Sequence, residues 1–153
     1  DARNSAQIIR KVREKGFTGL IFGGPCMGRR SFVEQVGPAT DGLIFPLLYT
    51  ANKELKDFEI KFALRFGHYP DYLAAQAYDA VNLLIVAIHK AGLNRVRICD
   101  QIRGLTPWHG VTGEISWDSL GSNLRSVQLG TIRKGQIEPL SKTNSPLLTY
   151  YRF

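Results

Sequence analysis

Between Ala74 and Gly92 the chain reads AAQAYDAVNLLIVAIHKAG, and this segment restricts the available folds more than any other. Its polar residues are Gln76, Asp79, Asn82, His89 and Lys90. At roughly 100° per residue they share one stripe of a helix. Nearly everything else is Ala, Val, Leu, Ile or Tyr. A helix that is apolar over most of its circumference needs cover on several sides. The fold must therefore bring a sheet, or several further helices, to this segment. Uninterrupted apolar runs such as Leu83–Ile88 are too short to cross a bilayer.

Upstream of this helix the pattern alternates. Ser5–Lys15 reads as an amphipathic helix, with Asn4 or Ser5 as its cap and Gly16 ending it in a left-handed turn. FTGLIFGG (Phe17–Gly24) reads as a short buried strand, RRSFVEQVG (Arg29–Gly37) as a short helix, and DGLIFPLL (Asp41–Leu48) as a second apolar strand. Helix, strand, helix and strand on short connections signal an α/β fold, with a parallel sheet and crossover helices. The alternation stops at Pro46.

Asn52–Phe66 is then an amphipathic helix with Leu55, Phe58, Phe62 and Phe66 on one face. GHYP (Gly67–Pro70) breaks it, and Asp71 caps the apolar helix, which runs to about Lys90. Asn94 caps a shorter helix, Arg95–Arg103. After GLTPWHG the period shortens, and GVTGEISW, LRSVQLGTIRKG and QIEPL read as strands. A Lys134–Gly135 turn joins the last two. SKTNSP (Ser141–Pro146) reads as a loop and LLTYYRF as a final strand or tail. The change of pattern predicts two packing units, with the chain passing between them near Pro46–Ala51.

The net charge of +7 over 153 residues raises nucleic acid as a partner. The basic residues are scattered, however, and the Arg10–Lys15 cluster has helical spacing beside Ile8, Ile9 and Val12. That is the solvated face of a helix. No aromatics interleave with basic residues, so no nucleic-acid partner is expected. There is no zinc-finger spacing, and neither a metal nor a cofactor is expected. Cys26 and Cys99 pair only if the fold brings their Cα atoms within about 7 Å. The opening DARNSAQIIRKVREKG lacks the charged-then-apolar layout of a signal peptide.

Five stretches in order carry a family resemblance: IIRKVREKGFTGLIFGG, VGPATDGLIF, FALRFGHYPDYLAAQAYDAVNLLIVAIHKAG, HGVTGEISWDSLGSN and VQLGTIRKGQI. The most specific part is a Tyr-Asp-Ala helix ending in Ala-Gly, followed by Gly-x-Thr-Gly-x-Ile-x-Trp-Asp-x-x-Gly. The chain resembles the C-terminal part of type I periplasmic solute-binding proteins, the branched-chain amino acid kind that serves ABC transporters. Members are normally more than twice as long, so the resemblance implies a fragment. It implies a periplasmic-binding-protein-like type I α/β fold, with parts of two Rossmann-like lobes and the ligand in the cleft between them. On that template residues 1–48 belong to the second lobe and 49–117 to the first. Residues 118–153 would cross back near Asp118–Asn123 and return to the second lobe. The helix around Tyr78 would pack on a first-lobe sheet that lies mostly outside this sequence. Its apolar face would then meet the remainder of the same protein, or a second copy of the fragment.

On the same template GGPCMGRRS (Gly23–Ser31) lines the cleft, making Pro25, Cys26 and Met27 ligand contacts. The loop joins a strand's carboxyl end to a helix's amino end, where N–H groups favour carboxylates or phosphates. The best-known amino acid binders carry an acidic residue in this loop to hold the ligand's ammonium. This chain has Pro25 there, which points away from a plain α-amino acid. Tyr72 and Leu73 open the apolar helix about where the family places an aromatic against the ligand, and the first-turn N–H groups are a candidate anion site. Tyr49, at the expected crossing, is a further contact candidate. Arg29 and Arg30 meet a ligand anion or are solvated, and Asp118 and Gly121 set a turn.

The resemblance implies a non-catalytic, periplasmic or extracytoplasmic protein, with a lipoprotein anchor as one possibility. It would bind a small amino-acid-like, amide or carboxylate solute and present it to a membrane permease. The same fold would serve as the ligand-sensing domain of a receptor. A third reading takes Gly24–Gly28 as a nucleophile elbow with Cys26 in the serine position, in a cysteine hydrolase. That needs a base among His68, His89 and His109, none of which has a spacing that demands catalysis.

Overall fold

The computed structural model describes residues 2–49 and 52–141. In chain order its elements are α1 (Ala2–Glu14), β1 (Ile21–Phe22), α2 (Arg30–Val36), β2 (Leu43–Leu47), α3 (Lys53–Phe66), α4 (Tyr72–Ala91), α5 (Arg95–Gly104), β3 (Trp108–Gly110), β4 (Gly113–Ile115), β5 (Gln128–Arg133) and β6 (Gln136–Pro139). Tight 3-10 turns cover Pro25–Gly28 and Gly37–Thr40. The chain divides into two compact units, Asp1–Leu48 with Val127–Phe153, and Tyr49–Ser126. Thr50 and Ala51 of the expected crossing, the loop beyond Ser141, and LLTYYRF lie outside the described residues.

The first unit is built on a sheet of order β1-β2-β5-β6. β1 and β2 are parallel with α2 between them in sequence, the crossover that the alternating pattern predicts. β5 pairs antiparallel with β2, and β6 antiparallel with β5. β2 lies inside the sheet, and Leu43, Ile44 and Phe45 are all buried. Burial on both faces explains why DGLIFPLL shows a run rather than an alternation. Ala6 and Ile9 of α1 and Phe32, Val33 and Val36 of α2 complete the core, whereas Ile8 faces solvent.

Two expectations narrow here. α1 begins at Ala2, so Asn4 and Ser5 lie inside its first turn rather than capping it. The strand expected over Phe17–Gly24 shrinks to Ile21–Phe22. The reason is Arg13, which donates to the carbonyls of Phe17 at 2.8 Å and Gly19 at 2.9 Å. Those carbonyls are tied to α1 instead of to the sheet. Arg10 likewise donates to the Gln35 carbonyl, so the basic stripe of α1 is partly an anchoring device and not only a solvated face.

In the second unit the expected caps are in place. Asn52 accepts from the Leu55 amide at 2.7 Å, Asp71 from the Leu73 and Ala74 amides, and Asn94 from those of Val96 and Arg97. α5 packs along α4, and α3 meets α4 through the Phe58 and Tyr78 rings, 4.9 Å apart. β3 pairs antiparallel with β4. The single strand expected over GVTGEISW is instead split: β3 opens upstream at Trp108, a turn falls at Val111–Thr112, and β4 follows from Gly113. The Asp118 carboxylate accepts from the Leu120 and Ser122 amides, making the expected turn. The Trp117–Asn123 bridge closes that turn on its own unit. The chain passes from this unit to the other at Ser126–Val127.

α4 is not covered as its composition demands. Only Ala75, Asp79 and Ala87 are buried, while Tyr78, Val81 and Ile85 are 48%, 56% and 46% exposed. The described residues of this unit supply α5, the edge of α3 and a hairpin, but only the two-stranded sheet β3-β4. No helix among the described residues is long and apolar enough to cross a membrane.

Candidate functional site

In the first unit the Gly23 amide donates to the Ile44 carbonyl at 2.9 Å, extending the sheet one residue past β1. Gly24 is extended, and Pro25, with its restricted φ, opens the 3-10 turn. The Met27 amide then bonds to the Gly24 carbonyl and the Arg29 amide to that of Cys26. Those two donors are consumed inside the turn. Met27 folds inward and is 7% exposed. Its thioether covers Gly23, where an added Cβ would lie 2.0 Å from Sδ. Gly28 is pressed to the Phe45 ring, 2.7 Å from where its Cβ would be. Pro25 and Cys26 remain half-exposed, and both cysteines carry free thiols. Of the three loop candidates, Pro25 and Cys26 are presented at the surface, while Met27 supports the turn from beneath.

This geometry is not a nucleophile elbow. A 3-10 turn and the extended Arg29 separate β1 from α2, so no sharp strand-to-helix corner projects Cys26. All three histidines belong to the Tyr49–Ser126 unit. His68 stacks edge-on against Phe62 at 5.5 Å, and His109 lies 3.8 Å from Glu114. Among the described residues no group of His, Cys, Asp and Glu could hold a metal.

In the second unit Tyr49 is half-buried beside the boundary, and Tyr72 and Leu73 form the first turn of α4. The anion site expected at that turn needs correction. The Leu73 and Ala74 amides already bond to the Asp71 carboxylate at 3.1 and 3.2 Å. A second anion there would meet both spent donors and a like charge. Leu73 instead offers an exposed apolar surface.

One feature escaped the sequence reading. Phe58, Phe62, Phe66 and Tyr78 line an open groove of about 610 Å³ beside α3 and α4, with Lys61 among the charged residues at its margin. Phenylalanines spaced four apart on α3 signalled an apolar face, and that face is left open. The structure thus gathers Pro25, Cys26 and Met27 in one turn, and Tyr72 and Leu73 in another, with Tyr49 apart from both sets in sequence.

The sequence matches the periplasmic binding protein family over residues 1–136. Among solved structures it is similar to a leucine-binding protein from Thermotoga maritima, with 30% identity, a TM-score of 0.79, and coverage of 92% of this chain and 41% of that one. A branched-chain amino acid transporter substrate-binding protein from Streptococcus pneumoniae, in complex with isoleucine, shares 24% identity and a TM-score of 0.80 over 90% of this chain and 40% of that one. A solute-binding protein of an ABC transporter from R. palustris, in complex with benzoate, shares 18% identity and a TM-score of 0.74 over 88% and 39%. The last two show likeness of fold alone. The chain spans about two fifths of the length of these proteins. No curated protein matches it. The fold is α/β, of the type I periplasmic-binding kind.

Proposed function

Because the chain belongs to the periplasmic binding protein family, we propose that it works as part of an extracytoplasmic solute-binding component of an ABC transporter. In this reading the Asp1–Leu48 and Val127–Phe153 unit contributes to one lobe and the Tyr49–Ser126 unit to the other. A small solute is held between the lobes of the complete protein. Pro25 and Cys26 touch it from one lobe and Tyr49, Tyr72 and Leu73 from the other, while Met27 holds the Pro25 turn in shape. The observation that carries this reading is a family match running through both units. The solute is then presented to a membrane permease, and the remainder of the protein covers the open face of α4.

The solute class follows from chemistry. Leucine, named with the similar structure at 30% identity, pairs a carboxylate with an apolar body. Pro25 supplies no charge for an ammonium group, and exposed Leu73 suits an apolar body. The proposed solute is a small carboxylate or amide with an apolar part, amino-acid-like in size. No chemical step is required of Cys26. The protein is placed outside the cytoplasm, free or held by a lipid anchor.

A thermal-shift screen of the intact protein against amino acids, aromatic acids, amides and dicarboxylates tests the reading. A true solute at a hundred times its dissociation constant should add about 2.7 kcal/mol of stability. The solute should be recovered unchanged. Turnover of a solute that disappears in Cys26→Ala would replace this reading with the hydrolase one.

A further inference from the structure

Asp79 is the only buried ionisable residue among the described residues, at 4% exposed. Its carboxylate accepts from the Val111 amide at 2.8 Å, the Thr112 amide at 2.9 Å and the Thr112 hydroxyl at 2.7 Å. A carboxylate removed from water is costly unless satisfied in this way. Gly110 permits the approach, since a Cβ there would lie 2.4 Å from the carboxylate. The chain of bonds continues outward. The Thr112 carbonyl accepts from Arg125 Nη2 at 2.5 Å. Burial lowers the Arg125 pKa from its ordinary value, and the Asp79 carboxylate opposes that shift. Arg125 stands one residue before Ser126, where the chain leaves this unit.

We propose that Asp79, Thr112 and Arg125 form a latch that anchors the exit of the chain from the Tyr49–Ser126 unit, with Asp79 and Arg125 as positioning residues. The carboxylate fixes the Val111–Thr112 turn, and the fixed turn presents the Thr112 carbonyl. Arg125 takes that carbonyl and holds the end of the Asp118 turn against the hairpin. The Leu124 amide, which donates to the Ser116 carbonyl at 2.8 Å, reports whether this end is held. The latch rests on the solute-binding reading only for its consequence. In a protein that closes around a solute, a loose exit adds freedom that closure must remove, and affinity falls.

The test is residue-resolved amide exchange by NMR on the full chain, comparing wild type with Arg125→Met, Arg125→Lys and Asp79→Asn. Arg125→Met keeps bulk but loses the donor. It should speed Leu124 exchange about tenfold, the equivalent of one hydrogen bond, and leave Val111 and Thr112 slow. Arg125→Lys, which restores a cationic donor, should bring Leu124 back toward the wild-type rate. Asp79→Asn should speed Val111, Thr112 and Leu124 together. If it does not fold, the two Arg125 variants decide alone. An unchanged Leu124 in Arg125→Met, or equal acceleration along the whole of α4, would overturn the latch. Because this readout needs no solute, a negative solute screen would count against the proposed function and leave the latch standing.

Discussion

Gly110 and Gly24 look alike in sequence and differ in what surrounds them. Beside Gly110 the Asp79 carboxylate occupies the space of a Cβ and cannot withdraw without losing its three bonds. Gly24 has nothing within 4 Å of that position and an ordinary φ of −79°. Gly110→Ala should therefore cost roughly 1–3 kcal/mol through overpacking. Gly24→Ala should stay within about 0.5 kcal/mol of wild type. Urea unfolding of the two variants measures the contrast. The sequence shows Asp79 only as part of the polar stripe of α4. Its partners lie 32 and 33 residues downstream, beyond the reach of any local pattern.

The elements that were legible are those decided by neighbours in sequence. Asn52, Asp71 and Asn94 cap their helices through bonds two or three residues away, so residue type and spacing identify them. Asp71→Ala should reduce stability by about 1 kcal/mol and fray the first turn of α4, seen as a lower unfolding midpoint. The elements that were not legible depend on distant partners. β1 is cut short by Arg13 of α1, and β2 pairs with a strand that opens at Gln128. Arg13→Ala should free the Phe17 and Gly19 carbonyls and cost about 1 kcal/mol or somewhat more. Lys11→Ala, on the exposed side of the same helix, is the matched control and should be near neutral in the same unfolding assay.

At the scale of the molecule the composition of α4 sets a demand that the described residues leave unmet. Tyr78, Val81, Leu84 and Ile85 are open to solvent, and the buried indole N–H groups of Trp108 and Trp117 find no acceptor among the described residues. Covering each half-exposed side chain is worth about 1 kcal/mol. The demand was readable because it is a property of one helix. The position of Tyr72 and Leu73 was readable from the Asp71 cap, and the same cap implies the occupied N–H groups behind them, which count against an anion there. The 17.1 kDa chain should therefore self-associate when studied alone, and Val81→Lys with Ile85→Lys should weaken that association. Sedimentation velocity across a concentration series measures both. Hydrogen–deuterium exchange of the intact protein, with and without the solute that the screen selects, tests the central claim most directly. Slowed exchange is expected both in the Gly24–Gly28 turn and in the first turn of α4. Protection confined to the groove lined by Phe58 and Tyr78, or absent from both turns, would contradict the account.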